Sequence, residues 1–168
     1  MENSILFNLK LNDRALEKAG KKSSSFLKSH GFSNETVQAQ IKILKELINN
    51  GKKFDPPSSA KESEISVFLL VEAEAITVEI RKAVEESSQR QLIELDKTIQ
   101  WIRGYHDPYE PYMKKLREAS GNLNSRETNG IGLARIAYEA GAVLDFFVSE
   151  DNILNLSAVR NLNGDCHG

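Results

Sequence analysis

Apolar and polar positions alternate at the start of the chain. Ile5, Phe7, Leu9 and Leu11 are interleaved with Leu6, Asn8, Lys10 and Asn12, a period of two that predicts a strand with one mostly polar face. The period then lengthens. Leu16, Ala19, Ser23, Phe26 and Leu27 follow helical spacing, with Asp13 as the expected N-cap and Gly31 as the expected stop after a last-turn His30. Ser33 or Asn34 should cap a second helix, whose stripe Val37, Ile41, Leu44 and Ile48 faces a core and which ends where Asp55 meets Pro56. Residues 56–59 read as a loop.

Two strands come next. Ile65, Val67, Leu69 and Val71 line one face of the first, Ile76, Val78 and Ile80 line one face of the second, and the short link 72–75 makes them an antiparallel hairpin. Helical spacing returns over 88–105 with Leu92, Leu95, Ile99 and Ile102, leaving Trp101 off the stripe. Asp107-Pro108 opens another helix with Tyr109, Tyr112, Met113 and Leu116 on its apolar side, and aromatic residues at that spacing are expected in a core. Residues 120–129 are rich in glycine, asparagine and serine and read as a lid-like surface loop. It delivers into a short helix from Gly130 to Gly141, and a last hairpin turns at Glu150-Asp151-Asn152. That order predicts one domain over 1–168 with an α/β (α+β) fold, a two-layer sandwich of a mixed, mostly antiparallel sheet with helices on one face. Residues 161–168 should form a frayed tail.

Composition narrows the function classes. A formal charge of -2 and a pI near 6.0 supply no electrostatic reason to expect nucleic acid or an anionic membrane as partner. No apolar run approaches the roughly 20 residues of a spanning helix, so a cytoplasmic location is expected. The single cysteine, Cys166, excludes an internal disulfide. Its neighbours Asp165 and His167 sketch a metal corner, but a chain end is a poor place to preorganise ligands.

Candidate chemistry lies on the second helix. Glu46, Asn50 and Lys53 fall on the face opposite its apolar stripe. There a carboxylate orients water, an amide oxygen ligates a hard cation and an ammonium meets anionic oxygen. The competing reading of the same three residues is a solvated helix face.

The stretch Glu46-Leu47-Ile48-Asn49-Asn50-Gly51-Lys52-Lys53-Phe54 resembles the N-box of the histidine-kinase-like (GHKL) ATPase superfamily, E-x-x-x-N-x-x-K-F. Downstream, Gly130-Ile131-Gly132-Leu133 after the loop 120–129 resembles that superfamily's second glycine box and ATP lid. Glycines there let backbone amides approach phosphate at a helix start. The element order resembles the Bergerat-type ATPase fold over almost the whole chain, and the nearest likeness is to small bacterial anti-sigma-factor kinases and partner-switching regulators. That resemblance implies Mg and ATP as cofactors, Glu46 as catalytic base, Asn50 as Mg ligand, and Lys53, Gly130, Gly132 and Leu133 around the phosphates. It further implies a homodimer, and a STAS-domain antagonist or sigma-factor-like protein as partner, phosphorylated on serine.

One part of the pattern is missing. The superfamily's first glycine box, D-x-G-x-G, should follow the strand ending near Ile80, yet the chain reads Arg81-Lys82-Ala83-Val84-Glu85-Glu86. Asp96 lies too far into the next helix to replace the aspartate that holds the adenine amino group. An unpaired base edge costs affinity. The alternative reading is therefore a degenerate GHKL domain that binds a protein partner without nucleotide. A third is an unrelated α/β protein, in which Asn50 would face solvent with no pocket beside the Gly130 loop.

Overall fold

The computed structural model describes residues 2–55, 63–121 and 130–162. Strand β1 (Ser4–Lys10) leads into helices α1 (Ala15–Ser29) and α2 (Asn34–Lys52), then strands β2 (Glu64–Val71) and β3 (Ala75–Ala83). A 3-10 turn at Glu86–Ser88 opens α3 (Gln89–Arg103), followed by α4 (Tyr109–Gly121), α5 (Ile131–Glu139), β4 (Ala142–Val148) and β5 (Ile153–Asn161). The expected order of elements is the order found. The loop at 56–59, all but two residues of the lid-like segment 120–129, and the cluster Asp165, Cys166 and His167 lie outside the described residues.

The strands form one sheet in the order β1-β2-β3-β5-β4, and each of the four pairings is antiparallel. The sheet thus sits at the antiparallel end of the expectation, because β3 and β4, which run in the same sense at the two ends of the helical excursion, are separated by β5, antiparallel to both. The last strand does not stay at the edge. It inserts between β3 and β4, and its buried Leu154, Leu156 and Ala158 complete the inner face with Ile65, Val67, Leu69, Ile76, Val78 and Ile80. The helices cover that face, and α2 is the central one. Its buried arc, Val37, Gln40, Ile41, Ile43, Leu44, Leu47, Ile48, Asn50 and Gly51, is much wider than a single stripe.

Three local details differ from expectation. Arg14, not Asp13, is the cap residue of α1, and the Asn12 side chain accepts from the Arg14 N–H at 3.0 Å, so the turn before the helix is closed one residue earlier. Gly31 does take the left-handed conformation, φ 82°, after the helix. His30 has a tertiary partner as well as its helix end: Nε2 lies 2.9 Å from the Glu2 carbonyl, tying α1 to the entry of β1. Of the two tyrosines of α4, Tyr112 is half-buried against the core and Tyr109 is exposed. Pro111 is the buried residue of that helix, and Tyr109 and Tyr112 meet Tyr138 of α5 at 5.3 and 5.6 Å between ring centroids. α4 packs on α5 at the periphery, so its aromatic face meets another helix instead of the sheet.

Candidate functional site

The C-terminal half of α2, the start of α5 and one side of α3 enclose a cavity of about 150 Å³, lined by Asn50, Lys53, Phe54, Gln91, Glu94, Leu95, Thr98, Gly130 and Leu133. Asn50 is 6% exposed, so it is not on a solvated face. Its Nδ2 donates to the Glu46 carbonyl at 2.9 Å and to Glu46 Oε1 at 3.0 Å. Both amide protons are thereby used within one helical turn, an i, i+4 contact. The carbonyl oxygen Oδ1 is the atom that remains for a ligand, and a neutral oxygen suits a hard cation.

Gly132 explains how the carboxylate of Glu46 is seated. A methyl group at that position would collide with all the terminal atoms of the Glu46 side chain, so any larger residue would push the carboxylate out of its seat under the first turn of α5. Gly130, the residue capping α5, has φ 84°, and a Cβ there would lie 2.6 Å from Thr98 Cγ2. Both conformation and space demand glycine at that position. Leu133, 2% exposed, anchors the same turn into the core. Glu46, Asn50, Gly130, Gly132 and Leu133 are brought together, whereas Lys53 stands exposed at the C-cap of α2 and reaches the cavity from its rim.

Residues without a motif complete the surroundings. Gln91, Glu94, Leu95 and Thr98 recur at i, i+3, i+4 and i+7 and give α3 one wall of the cavity. Their spacing was visible, but nothing in the sequence tells which face of α3 meets α2. Arg135, one turn beyond Gly132, donates through Nε to Tyr112 Oη at 3.5 Å. That bond raises its pKa above the ordinary value against the opposing pull of partial burial, and the fields of Tyr112, Glu139 and Glu46 act in the same direction.

The region of the missing aspartate is occupied by a different device. Lys82 continues the inner row of β3 after Ile76, Val78 and Ile80, with its side chain only 4% exposed. Its ammonium meets Asp55 Oδ1 at 2.6 Å, just past α2, and Asp55 Oδ2 accepts from Ser63 Oγ at 2.7 Å. Asp96 is exposed and absent from the cavity wall. Among the described residues no group of three or more His, Cys, Asp or Glu side chains could hold a metal ion by itself, and no helix is long and apolar enough to cross a membrane.

Comparison with known proteins places this geometry on a fold. No protein-family model matches the chain, and no curated protein matches it in sequence. Among solved structures, a chain from the crystal structure of the SiaB-SiaC complex from Pseudomonas aeruginosa superposes with a TM-score of 0.68 at 16% sequence identity, over 92% of this chain and 88% of that one. Likeness of that extent at that identity fixes the fold alone: one antiparallel five-stranded sheet with its helices on one face.

Proposed function

We propose that the chain is a bacterial signalling regulator of the anti-sigma-factor or partner-switching type, binding Mg-ATP in the α2–α3–α5 cavity and passing the γ-phosphoryl group to a serine of a protein partner. The observation that carries this reading is the Glu46–Asn50 hydrogen bond held under Gly132 at the start of α5. A buried amide, a seated carboxylate and a glycine-built helix N-terminus form one unit there. Asn50 Oδ1 would hold Mg, Lys53 would meet phosphate oxygen at the rim, and the backbone amides from Gly130 onward would donate to the anionic oxygens. Bound Mg-ATP supplies an activated phosphoryl group with its charge partly neutralised; Glu46 takes the proton of the serine hydroxyl. Glu94 of α3, which lines the cavity with its side chain 58% exposed, would be the acceptor for an exocyclic amine in place of the absent aspartate. The SiaB-SiaC structure is a complex of two proteins, which is in keeping with a protein partner here.

The second reading, a GHKL-like module that binds a partner without nucleotide, has its own support. Lys82, neutralised by Asp55, occupies the end of β3, and a cavity of about 150 Å³ is below the roughly 300–1,000 Å³ usual for small-molecule sites.

Calorimetric titration with Mg-ATP separates the two. The expected result is saturable binding in the micromolar to submillimolar range that Asn50→Ala removes, with a preference for ATP over GTP that Glu94→Ala narrows, because a carboxylate pairs with the adenine amine and repels the guanine carbonyl. No heat from a normally folded chain overturns the nucleotide reading and leaves the binding module.

A further inference from the structure

Trp101 lies off the buried stripe of α3, and it supports a cation. α3 and α4 meet along a seam where two lysines of α4 lie against two aromatic rings at the end of α3. Lys114 Nζ is 5.0 Å from the centre of the Tyr105 ring and donates to Tyr105 Oη at 2.8 Å, and Lys115 Nζ is 5.1 Å from the centre of the Trp101 ring. The two rings meet edge to face at 5.3 Å. Their lysines differ in setting. Lys114 is exposed, whereas the Lys115 side chain is 18% exposed and lines, with Lys97, Thr98, Trp101 and Glu118, a hollow of about 350 Å³. An ammonium over an indole face is held in place by it, so Lys115 is better fixed than Lys53, which stands exposed past the end of α2.

This hollow adjoins the α2–α3–α5 cavity, and Thr98 lines both. A Cβ at Gly130 would lie 3.8 Å from Lys115 Cε as well as against Thr98, so the Lys115 stem runs beside the residue that starts α5. That helix begins without a capping side chain and with no acidic residue in its first turn, so its own residues leave its positive end uncompensated. An ammonium brought beside that end adds charge of the same sign, and the two together favour an anion between them. The carboxylate that pairs with Lys115 is Glu118, one turn along α4, with Oε2 at 3.3 Å from Nζ and a side chain 57% exposed. A pair that exposed is weak, so a phosphate can replace it.

We propose that Lys115 is the cation for the terminal phosphate of a triphosphate whose remainder occupies the α2–α3–α5 cavity, an assignment that rests on the nucleotide reading above and extends it. The phosphates cross the Thr98–Gly130 contact, the terminal one enters the hollow, and Lys115 exchanges Glu118 for it while Trp101 holds the ammonium in place. Together the two spaces fall within the roughly 300–1,000 Å³ usual for small-molecule sites, so the smaller cavity has to hold only part of the ligand. Lys115 therefore selects a triphosphate over a diphosphate.

The test is calorimetric titration of the full chain with Mg-ATP, Mg-ADP and inorganic tripolyphosphate, read in parallel by the emission of Trp101, the single tryptophan. Lys115→Met keeps the stem beside Gly130 and removes the charge. It is expected to weaken ATP and tripolyphosphate by about 10- to 100-fold, the range of a hydrogen bond to a charged group, and ADP by less than about threefold. Glu118→Gln, which removes the competing carboxylate, should tighten ATP. Tripolyphosphate should shift the Trp101 emission of the wild type and not that of Lys115→Met, a response that a merely structural lysine does not give. ATP bound equally by wild type and Lys115→Met overturns the subsite and leaves the nucleotide reading standing. Tripolyphosphate bound through Lys115 by a chain that takes no ATP does the reverse: the phosphate subsite stands and the nucleotide reading falls. Equal losses of ATP and ADP overturn the assignment to the terminal phosphate, and a chain that binds none of the three overturns both.

Discussion

Replacing Asp55 with alanine is expected to lower the melting temperature by roughly 10 °C. Lys82 is held at the inner face of β3 with 4% of its side chain exposed, and Asp55 is the one carboxylate on its ammonium among the described residues. Without that carboxylate the cation is buried and unpaired, which typically costs about 3–5 kcal/mol, and each kcal/mol moves the melting temperature of a chain this size by roughly 2–4 °C. The converse change is mild. Lys82→Met keeps the packed volume of the stem, and Asp55, whose side chain is 27% exposed, stays hydrated and bonded to Ser63, so a loss within about 1 kcal/mol is expected. In the double variant Lys82→Met should recover most of what Asp55→Ala lost, a coupling that thermal melts of the four proteins measure directly. Equal, small losses from both single changes would mean that Lys82 is solvated and that the pair is not buried.

The same pair marks the boundary of what was legible in the sequence. Period-two alternation located β1, β2 and β3, and continuing it by one step from Ile76, Val78 and Ile80 puts Lys82 on the inner face, so the buried cation was within reach of the pattern. Its partner was not. Asp55 stands 27 positions earlier, and only the packing of the α2 C-terminus onto β3 joins them. The site shows a similar division. Glu46 and Asn50 are i, i+4 on one helix, so their contact follows from helical geometry, and Gly130 and Gly132 announce a close approach without naming what approaches. That Gly132 closes on the Glu46 carboxylate and that α3 supplies the opposite wall are both consequences of how three helices cross, which no local period encodes. The tyrosines at 109 and 112 show the cost of reading a period without its context: the helical spacing is real, but only Tyr112 reaches the core, and Tyr109 meets α5 at the surface.

Glu46→Gln is expected to leave Mg-ATP binding nearly unchanged while lowering phosphoryl turnover by about 10²–10⁴-fold, the range that a positioned general base contributes. The amide keeps a carbonyl oxygen where Oε1 accepts from Asn50 Nδ2, so the buried Asn50 stays oriented and the seat under Gly132 stays filled. What is lost is the capacity to take a proton. Glu46→Ala removes both functions: Asn50 loses one of its two acceptors and the space under α5 empties, so affinity should fall along with turnover. The pair of variants therefore separates a base from a strut. Calorimetry gives binding, and release of phosphate or transfer of label from γ-labelled ATP to a co-purified protein gives turnover. If Glu46→Gln binds and turns over like the wild type, the carboxylate is a positioning residue for Asn50 and the proton goes elsewhere. If both variants lose binding equally, the amide–carboxylate unit is structural, and the cavity's role would lie in shaping the surface that meets a protein partner.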